Sequence, residues 1–243
     1  MRILLASSNP HKVDEILAVW SRQAEGSASA KSVELVGLAA LGKKIKEPVE
    51  NGVTFEDNAL LKARYYAAET GMLCMADDSG LEVDALGGQP GVHSARYAGK
   101  TGPREAVDPA NNRKLIAALG DKPPAERSAR FVCVMALVSP PDLKLPAFVL
   151  AQVEANSFVE PDRRGRILAV VRGEVEGRIL TADEAGPGGR GRGENGFGYD
   201  PLFFIQSLGK TTAELSPDHK NRISHRGQAA RLMWQKLRKF TEP

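Results

Sequence analysis

The chain has 243 residues, of which 42% are hydrophobic and 26% are charged. These proportions are typical of a globular protein with a full core, so they exclude a chain that is disordered throughout. The formal net charge is +3, which suits a polyanionic ligand without identifying one, and the short basic runs show none of the clustering that is usual in nucleic-acid-binding domains.

The cysteines and the apolar runs bear on the cellular compartment. Cys74 and Cys133 lie in apolar runs without metal-ligand spacing, so we expect two buried thiols in a reducing compartment. The first residues do not resemble a signal peptide, and no stretch approaches the apolar length of a membrane span. We therefore expect a cytoplasmic protein without a membrane partner.

Strands and helices alternate in the first half of the chain. Residues 2–6 are predicted to form a buried strand, and Ser8 or Asn9 is expected to cap a helix that has Pro10 at its first position. The further elements predicted here are a loop at 23–32, a weak strand at 33–36, a helix at 54–69 opened by a capping box, a buried strand at 72–76, a glycine-rich loop at 86–103 and a helix at 104–119.

Strand patterns cluster in the second half. Strands are predicted at 131–138 and 147–153, paired across a turn at 139–142, and at 167–171 and 175–180. The other predictions are a polar surface loop at 155–166, an irregular loop at 186–198 with seven glycines, and a last helix from Ser224 to about Phe240. The pattern predicts an α/β fold with a mixed sheet, formed by one domain over residues 1–243.

The first helix begins with basic instead of acidic residues. His11 and Lys12 occupy its first turn, where the partial positive charge of a helix N-terminus normally favours Asp or Glu. Free N–H groups, the hydroxyls of Ser7 and Ser8, and a lysine together suit a phosphate group. The alternative is that Lys12 points into solvent. On the phosphate interpretation, Lys12→Ala weakens triphosphate binding and leaves thermal stability nearly unchanged.

The last helix repeats this pattern. Its predicted cap, Ser224, is followed by His225 and Arg226, again where acidic residues are preferred. Arginine can bind a phosphate group through two parallel hydrogen bonds. The alternative is a plain helix cap followed by solvated basic residues.

Two adjacent carboxylates, Asp77 and Asp78, follow the predicted buried strand at 72–76. Oxygen ligands that leave positions open for water and phosphate suit Mg²⁺, and Glu50 in a polar loop can add another carboxylate. A carboxylate near the metal can also take a proton from an attacking water. The alternative is a turn, because Asp-Asp-Ser-Gly is a good turn sequence.

Aromatic residues in the glycine-rich loop provide a further candidate. Phe197 and Tyr199 flank Gly198 in this loop, where a core aromatic residue is less expected. Glycine lets a flat ligand approach the backbone, and an aromatic face can stack on a nucleobase. Asp200, which precedes a proline, can accept hydrogen bonds from ring N–H groups. The alternative is a loop anchored by one buried aromatic side chain.

Taken in order, these stretches resemble the inosine triphosphate pyrophosphatase family, also called non-canonical purine NTP pyrophosphatases. The matching blocks cover nearly the whole chain and lie at 7–12, 50–59, 76–85, 86–97, 196–201 and 213–228. The resemblance implies an α/β fold with an elongated mixed β-sheet, flanking helices and two lobes, with the active site in the cleft between them. It also implies a homodimer that binds purine nucleoside triphosphates.

The implied activity is the hydrolysis of ITP, dITP and XTP to the monophosphate and pyrophosphate, which removes deaminated purines from the nucleotide pool. By matching position, Asp78 is implied as the general base and, with Glu50, as a ligand of Mg²⁺. The residues implied to bind the nucleotide are Ser7, Ser8, Asn9, Pro10, His11, Lys12, Ser79, Phe197, Gly198, Tyr199, Asp200, Lys220, His225 and Arg226.

The chain departs from the family pattern in two loops and at one residue. The polar stretch at 155–166 is an insertion, the loop at 186–193 is extended, and Ser8 replaces a frequent glycine. These departures leave the other site motifs intact. Two rival functions stay open on the residues alone. One is a phosphatase with an aspartyl nucleophile at Asp77 or Asp78, and the other is an RNA-binding module that uses the arginine-rich loops.

Overall fold

A computed structural model describes residues 1–25, 33–153 and 165–241. The strands are β1 (Arg2–Leu5), β2 (Glu34–Gly37), β3 (Leu73–Val83), β4 (Ser128–Ser139), β5 (Arg166–Ile179), β6 (Phe203–Ile205) and β7 (Lys210–Thr211). The α-helices are α1 (Pro10–Ala24), α2 (Phe55–Thr70), α3 (Arg104–Leu119), α4 (Ala147–Gln152), α5 (Ala182–Ala185), α6 (Pro217–Ile223) and α7 (His225–Lys239).

The strands form one mixed sheet in the order β2-β1-β3-β4-β5-β6-β7. β1 pairs in parallel with β2 and with β3, whereas β6 pairs antiparallel with β5 and with β7. The predicted α/β class with a mixed sheet and flanking helices is therefore confirmed. Among the helices of the described residues, none combines the length and the apolar character that crossing a membrane requires.

The chain divides into two compact units. Unit 1 comprises Met1–Asp78, Cys133–Gly173 and Arg226–Pro243, and unit 2 comprises Ser79–Val132 and Glu174–His225. Strands β3, β4 and β5 contribute residues to both units.

Each unit has its own apolar core. In unit 1, α1 and α7 contact through Trp20, whose Nε1 donates to the carbonyl of Ala230 at 3.0 Å and whose ring lies 5.4 Å from that of Trp234. In unit 2, the rings of Phe131 and Phe203 are 4.5 Å apart. The burial of these large apolar side chains supplies the main stabilising free energy of each core.

Two helix starts follow the sequence predictions. Asn9 caps α1 by accepting a hydrogen bond from the N–H of His11, with Pro10 at the first helical position. Thr54 and Asp57 form the predicted capping box of α2, in which each side chain accepts from the other residue's backbone N–H. These caps satisfy N–H groups that the helices leave without an internal partner.

Three predictions of secondary structure are wrong. β3 does not end at residue 76 but continues through 77–80, so these residues form a strand and not a turn. Residues 147–152 form a helix that starts after Pro146, because a short apolar run fits either periodicity. The strands predicted at 167–171 and 175–180 are a single strand, β5, which passes through the polar residues between them.

Two predicted loops fall largely outside the described residues. Of the loop at 23–32, residues 23 and 24 belong to α1 and residues 26–32 are not described. Of the insertion at 155–166, only Gly165 and Arg166 are described, and Arg166 is the first residue of β5. The loop at 186–198 is irregular as predicted, apart from one short 3₁₀ turn.

Candidate active site

β3 directs its two adjacent carboxylates to different partners. The Lys12 ammonium lies 2.8 Å from Oδ2 of Asp77. Asp78 instead meets residues of α2, because Nζ of Lys62 lies 3.0 Å from its Oδ1 and Nδ2 of Asn58 donates to its Oδ2 at 3.2 Å. Successive side chains of a strand point to opposite faces, so the extension of β3 through residue 78 explains this separation.

The electrostatic environments of the two carboxylates also differ. Burial raises the pKa of Asp77, but Lys12 and Arg226 outweigh it and hold the pKa at about 2. Burial also raises the pKa of Asp78, and there it prevails over the opposing effect of Lys62, so the pKa stays above its ordinary value. Asp77 is therefore a fixed buried anion, and Asp78 is the better proton acceptor of the two.

Lys12 faces Asp77 and not solvent. Its side chain is 15% exposed, and its ammonium makes the 2.8 Å ion pair. The solvent-exposed alternative for Lys12 is therefore wrong, and the anion beside this basic helix start is a side chain of the protein. Because Lys12→Ala would deprive a buried carboxylate of its nearest cation, we now expect this substitution to lower thermal stability as well as triphosphate binding.

Lys62 joins the two predicted metal-binding carboxylates. Its Nζ lies 3.0 Å from Oε1 of Glu50 and 3.0 Å from Oδ1 of Asp78. Burial lowers the pKa of Lys62, but the surrounding carboxylates, Asp78 foremost, raise it above its ordinary value, so Lys62 stays charged. Glu50 and Asp78 thus converge on one point although they are 28 positions apart in the sequence.

The loop that carries Glu50 is attached to α2 through Gly52. The N–H of Gly52 donates to Oδ1 of Asn58 at 2.8 Å, while the amide nitrogen of Asn58 contacts Asp78. A Cβ at Gly52 would lie 2.6 Å from Oδ1 of Asn58 and 2.6 Å from Cβ of Asp57, so this close approach requires glycine. Asn58 therefore holds both carboxylate-bearing segments.

Sequence reasoning missed Asn58 and Lys62. The two residues lie one helical turn apart among the small apolar residues of α2, next to Ala59 and Ala63, and all four are buried. A lysine on the buried face of a helix requires a carboxylate partner, because an unpaired charge there is strongly destabilising. That pattern was the signal available in the sequence.

The carboxylate set fits a magnesium ion that is shared with phosphate and water. Within residues 1–25, 33–153 and 165–241, no group of three or more His, Cys, Asp and Glu side chains is arranged to hold a metal ion. Mg²⁺ in phosphate-handling proteins is often held by only one or two carboxylates, with water and phosphate oxygens as the other ligands. The convergence of Glu50 and Asp78 meets that requirement.

Arg226 lies inside unit 1. Its side chain is 2% exposed, forms an ion pair with Glu15 of α1, and places Nε 3.7 Å from Oδ2 of Asp77. Sequence reasoning did not identify Glu15, which lies in α1 one turn beyond the predicted phosphate motif. These contacts assign Arg226 the role of holding Asp77, whereas its direct contact with phosphate stays a prediction.

The thiol of Cys133 also lies beside Asp77, with Sγ 4.0 Å from Oδ2. Burial, followed by the charge of Asp77, raises the pKa of Cys133 to about 12, so the thiol stays protonated. Cys74 and Cys133 are both buried and free, as expected from the sequence.

The other residues of the predicted phosphate motif lie at the start of α1. The N–H of Asn9 donates to Oγ of Ser7 at 3.4 Å, and the side chain of Asn9 caps the helix. Ser8, Pro10 and His11 are exposed. Apart from Lys12, the side chains of this segment thus lie near or at the surface of unit 1, beside the N–H groups of a helix N-terminus.

In unit 2, Asp200 organises the aromatic loop, which we define as residues 196–200. Its buried carboxylate accepts hydrogen bonds from the N–H of Phe197 at 2.8 Å and from Thr212 Oγ1 at 2.8 Å, and it forms an ion pair with Lys220 at 2.6 Å. A Cβ at Gly196, whose φ is 79°, would lie 2.1 Å from Oδ2 of Asp200. The loop can close on this carboxylate only with glycine at that position.

The two aromatic side chains of this loop have different surroundings. Phe197 is half-buried, and the Lys220 ammonium lies 4.9 Å from its ring centroid. Tyr199 is buried, and its hydroxyl donates to the carbonyl of Ser94 at 2.9 Å. Tyr199 thus matches the anchoring alternative, and Phe197 is the aromatic residue that stays accessible.

Two further predicted residues lie in unit 2. The ring of His225 is buried and stacks on Phe131, with centroids 4.9 Å apart and an interplanar angle of 14°. Ser79 is half-buried and follows Asp78 in β3. In unit 1 the structure therefore places Lys12 and Arg226 around Asp77, and joins Glu50 to the neighbouring Asp78 through Lys62. In unit 2 it brings Phe197, Asp200 and Lys220 together.

Comparison with known proteins identifies the family. The Ham1 family model matches residues 3–236, which is nearly the whole chain. The chain belongs to the Ham1 family. The resemblance inferred from the sequence motifs is thereby confirmed.

Two curated relatives and one solved structure illustrate the similarity to other Ham1 proteins. A dITP/XTP pyrophosphatase from Frankia alni is 42% identical over 239 residues, and one from Thioalkalivibrio sulfidiphilus is 40% identical over 237 residues, with 98% of each chain covered in both cases. The structure of a HAM1 protein from Coxiella burnetii matches with a TM-score of 0.72 at 33% identity, again over 98% of each chain.

Proposed function

We propose that the protein hydrolyses ITP, dITP and XTP to the nucleoside monophosphate and pyrophosphate. The observation that carries the proposal is the convergence of Glu50 and Asp78 on Lys62, beside a second buried carboxylate that is paired with Lys12. Full-length relatives named dITP/XTP pyrophosphatase support the same activity.

In the proposed reaction, a water molecule attacks the α-phosphorus of the triphosphate. Asp78 accepts a proton from this water while the new P–O bond forms, and the bond from the α-phosphorus to the bridging oxygen breaks, releasing pyrophosphate. The raised pKa of Asp78 supports its role as the base, whereas Asp77 is held as an anion by its cations. Asp77 and Arg226 then act by positioning Lys12.

Glu50 and Asp78 are the residues proposed to hold Mg²⁺. The ion would neutralise the charge of the phosphate groups and polarise their oxygens. The convergence of the two carboxylates supports this assignment, because their two negative charges exceed the single positive charge of Lys62.

Lys12 and the start of α1 are proposed to bind the triphosphate. The helix N-terminus offers backbone N–H groups and a partial positive charge, and no acidic residue lies in its first turn. The proposed contacts come from the side chains and backbone of Ser7, Ser8, Asn9, His11 and Lys12, with Pro10 fixing the direction of the helix start.

The aromatic loop of unit 2 is proposed to recognise the base. Phe197 supplies a half-buried aromatic ring with the Lys220 ammonium 4.9 Å from its centroid, and Asp200 binds both the backbone N–H of Phe197 and Lys220. Hypoxanthine and xanthine present a C6 carbonyl and an N1–H, whereas adenine presents an amino group and a bare N1. Buried polar groups that match one pattern are left unpaired by the other, which discriminates strongly. Ser79, Gly198, Tyr199, His225 and Arg226 stay predictions for the nucleotide site.

A substrate panel with separate assays for pyrophosphate and orthophosphate tests the proposal. We expect pyrophosphate from ITP, dITP and XTP, with much slower release from ATP and GTP and a requirement for Mg²⁺. Orthophosphate as the first product, together with a trapped phosphoenzyme, would instead establish the aspartyl phosphatase. Tight binding of single-stranded RNA without turnover of any nucleotide would establish the RNA-binding module.

Two wider parts of the proposal concern assembly and location. Formation of a homodimer and residence in the cytoplasm are proposed from the resemblance and from the two buried free thiols. In that setting, the enzyme would remove deaminated purine nucleotides before they are used in nucleic-acid synthesis. Sedimentation analysis of the purified protein tests the dimer directly.

A further inference from the structure

One side of α3 carries three polar residues at four-residue spacing. Arg104, Asp108 and Asn112 are related by one helical turn each, so their side chains project from the same side of the helix. All three contact the segment formed by Phe197 and Gly198. None of the three belongs to the residues that the sequence motifs placed in the nucleotide site.

Two of these residues hold both backbone polar groups of Gly198. The N–H of Gly198 donates to Oδ2 of Asp108 at 2.8 Å, and its carbonyl accepts a hydrogen bond from Nδ2 of Asn112 at 3.1 Å. Gly198 has φ of 64°. The peptide groups on both sides of this residue are thus fixed to one helix, and the ring of Phe197 is attached to the first of them.

The third residue reaches the ring itself. The guanidinium carbon of Arg104 lies 4.8 Å from the ring centroid of Phe197, and its Nη1 lies 3.5 Å from the same Oδ2 of Asp108 that binds Gly198. One carboxylate oxygen therefore connects the backbone of the aromatic loop with the cation on its ring. A guanidinium above an aromatic ring is attracted to it electrostatically.

α3 is itself tied to its surroundings. The amide group of Asn111 donates to the carbonyls of Ser94 and Ala95 and accepts from the N–H of Ala98. Beyond the other end of the helix, the buried guanidinium of Arg127 donates to the carbonyl of Gly120 at 3.1 Å. The helix is therefore a rigid support for the aromatic loop.

We propose that Arg104, Asp108 and Asn112 are positioning residues for base recognition, which act by fixing the orientation of the Phe197 ring. The inference rests on the proposed function, because it assigns these residues to the base of a purine nucleotide and not to its phosphates. Asp108 is the centre of the arrangement, since it binds Gly198 and Arg104 together.

The test compares a ligand that has a base with one that lacks it. Asp108→Ala and Asn112→Ala are assayed for the KM and kcat of ITP hydrolysis, and for inhibition by inorganic tripolyphosphate. Loss of a hydrogen bond to a charged acceptor predicts a rise of roughly tenfold in the KM for ITP for Asp108→Ala, with a smaller rise for Asn112→Ala. We expect kcat and the inhibition constant of tripolyphosphate to stay within about twofold.

Glu105→Ala is the matched control, because this exposed carboxylate lies on α3 outside the series of three and removing it deletes the same charge. Asp108→Asn keeps an acceptor for Gly198 and is expected to recover part of the lost affinity.

An equal loss of affinity for ITP and tripolyphosphate would overturn the inference, as would an unchanged KM for ITP in both variants. A parent protein that releases no pyrophosphate from ITP would overturn the proposed function first, and the base-positioning role with it.

Discussion

Separate substitutions of Asp77 and Asp78 by asparagine distinguish an effect on protein stability from an effect on the catalytic step. Asp77 is 1% exposed, with Lys12 at 2.8 Å and Arg226 at 3.7 Å. Asp77→Asn keeps the shape of the side chain but leaves two buried cations without their shared anion. We expect this variant to lose stability first and activity as a consequence, because Lys12 is no longer held in place.

The structure sets the size of both effects. Removing one partner of a buried ion pair destabilises a protein by about 3–5 kcal/mol, which for a chain of this length lowers Tm by about 10 °C. In Asp78→Asn, Lys62 keeps Glu50 at 3.0 Å, so we expect a loss of only about 1–2 kcal/mol. Removal of the proposed base should reduce kcat by roughly 100-fold or more.

The assay combines thermal unfolding with pyrophosphate release from ITP at saturating Mg²⁺. Asp142→Asn, the same chemical change at an exposed site of unit 1, serves as the control and should alter neither quantity. Hydrolysis of ITP by Asp78→Asn at nearly the parent rate would refute the assignment of Asp78 as the base. An inactive Asp77→Asn variant with the Tm of the parent protein would also refute it, since the roles of the two carboxylates would then be reversed.

Three further predictions concern unit 2. Bidentate hydrogen bonds from Arg178 hold the pKa of Glu184 at about 2, below the ordinary 4.5. The pair should therefore stabilise the fold fully above pH 4.5 and lose this effect as the pH falls through 2. Chemical denaturation of Glu184→Gln should show a free energy of unfolding about 1 kcal/mol below that of the parent at pH 7, with the difference shrinking towards zero as the pH falls below 2. Tyr199→Phe loses a buried hydrogen bond to a backbone carbonyl, so Tm should fall by about 3 °C. A steady-state assay should give an unchanged KM for ITP, because the hydroxyl already has a protein partner; a large rise in KM would show that the hydroxyl binds the nucleotide. Gly196→Ala introduces a Cβ that meets the Asp200 carboxylate, so we expect a raised KM for ITP with kcat preserved. Equal KM values for the variant and the parent would contradict this expectation.

The parts of the fold that depend on local chemistry could be predicted from the sequence. The starts of α1 and α2 are determined by Asn9, Pro10 and the Thr54–Asp57 capping box, and all of these interactions lie within three residues. The helix at 147–152 was missed because a run of five apolar residues, 147–151, fits a strand or a helix equally well, and tertiary packing selects between them.

Most residues of the candidate site could be predicted from the sequence, but the contacts between them could not. Adjacent carboxylates and a basic helix start are visible in the sequence, whereas the pairing of Lys12 with Asp77 and of Lys62 with Asp78 requires the course of β3. Local turn chemistry at 77–80 was overridden because this stretch belongs to a strand that lies between β1 and β4 in the sheet. Only the sheet decides which carboxylate meets which lysine.

That position of β3 has a consequence for how the protein loses activity on heating. Amide groups of a strand with a neighbour on either side exchange their hydrogens mainly through large-scale opening, whereas loops exchange by local fluctuations. Residues 73–75 are the part of β3 that pairs with β1, and Asp77 and Asp78 follow them as buried residues of the same strand, so we expect that their release from their partners requires disruption of this strand. Hydrolytic activity and global structure should therefore disappear along the same melting curve, and amide exchange at residues 73–75 should be among the slowest in the chain.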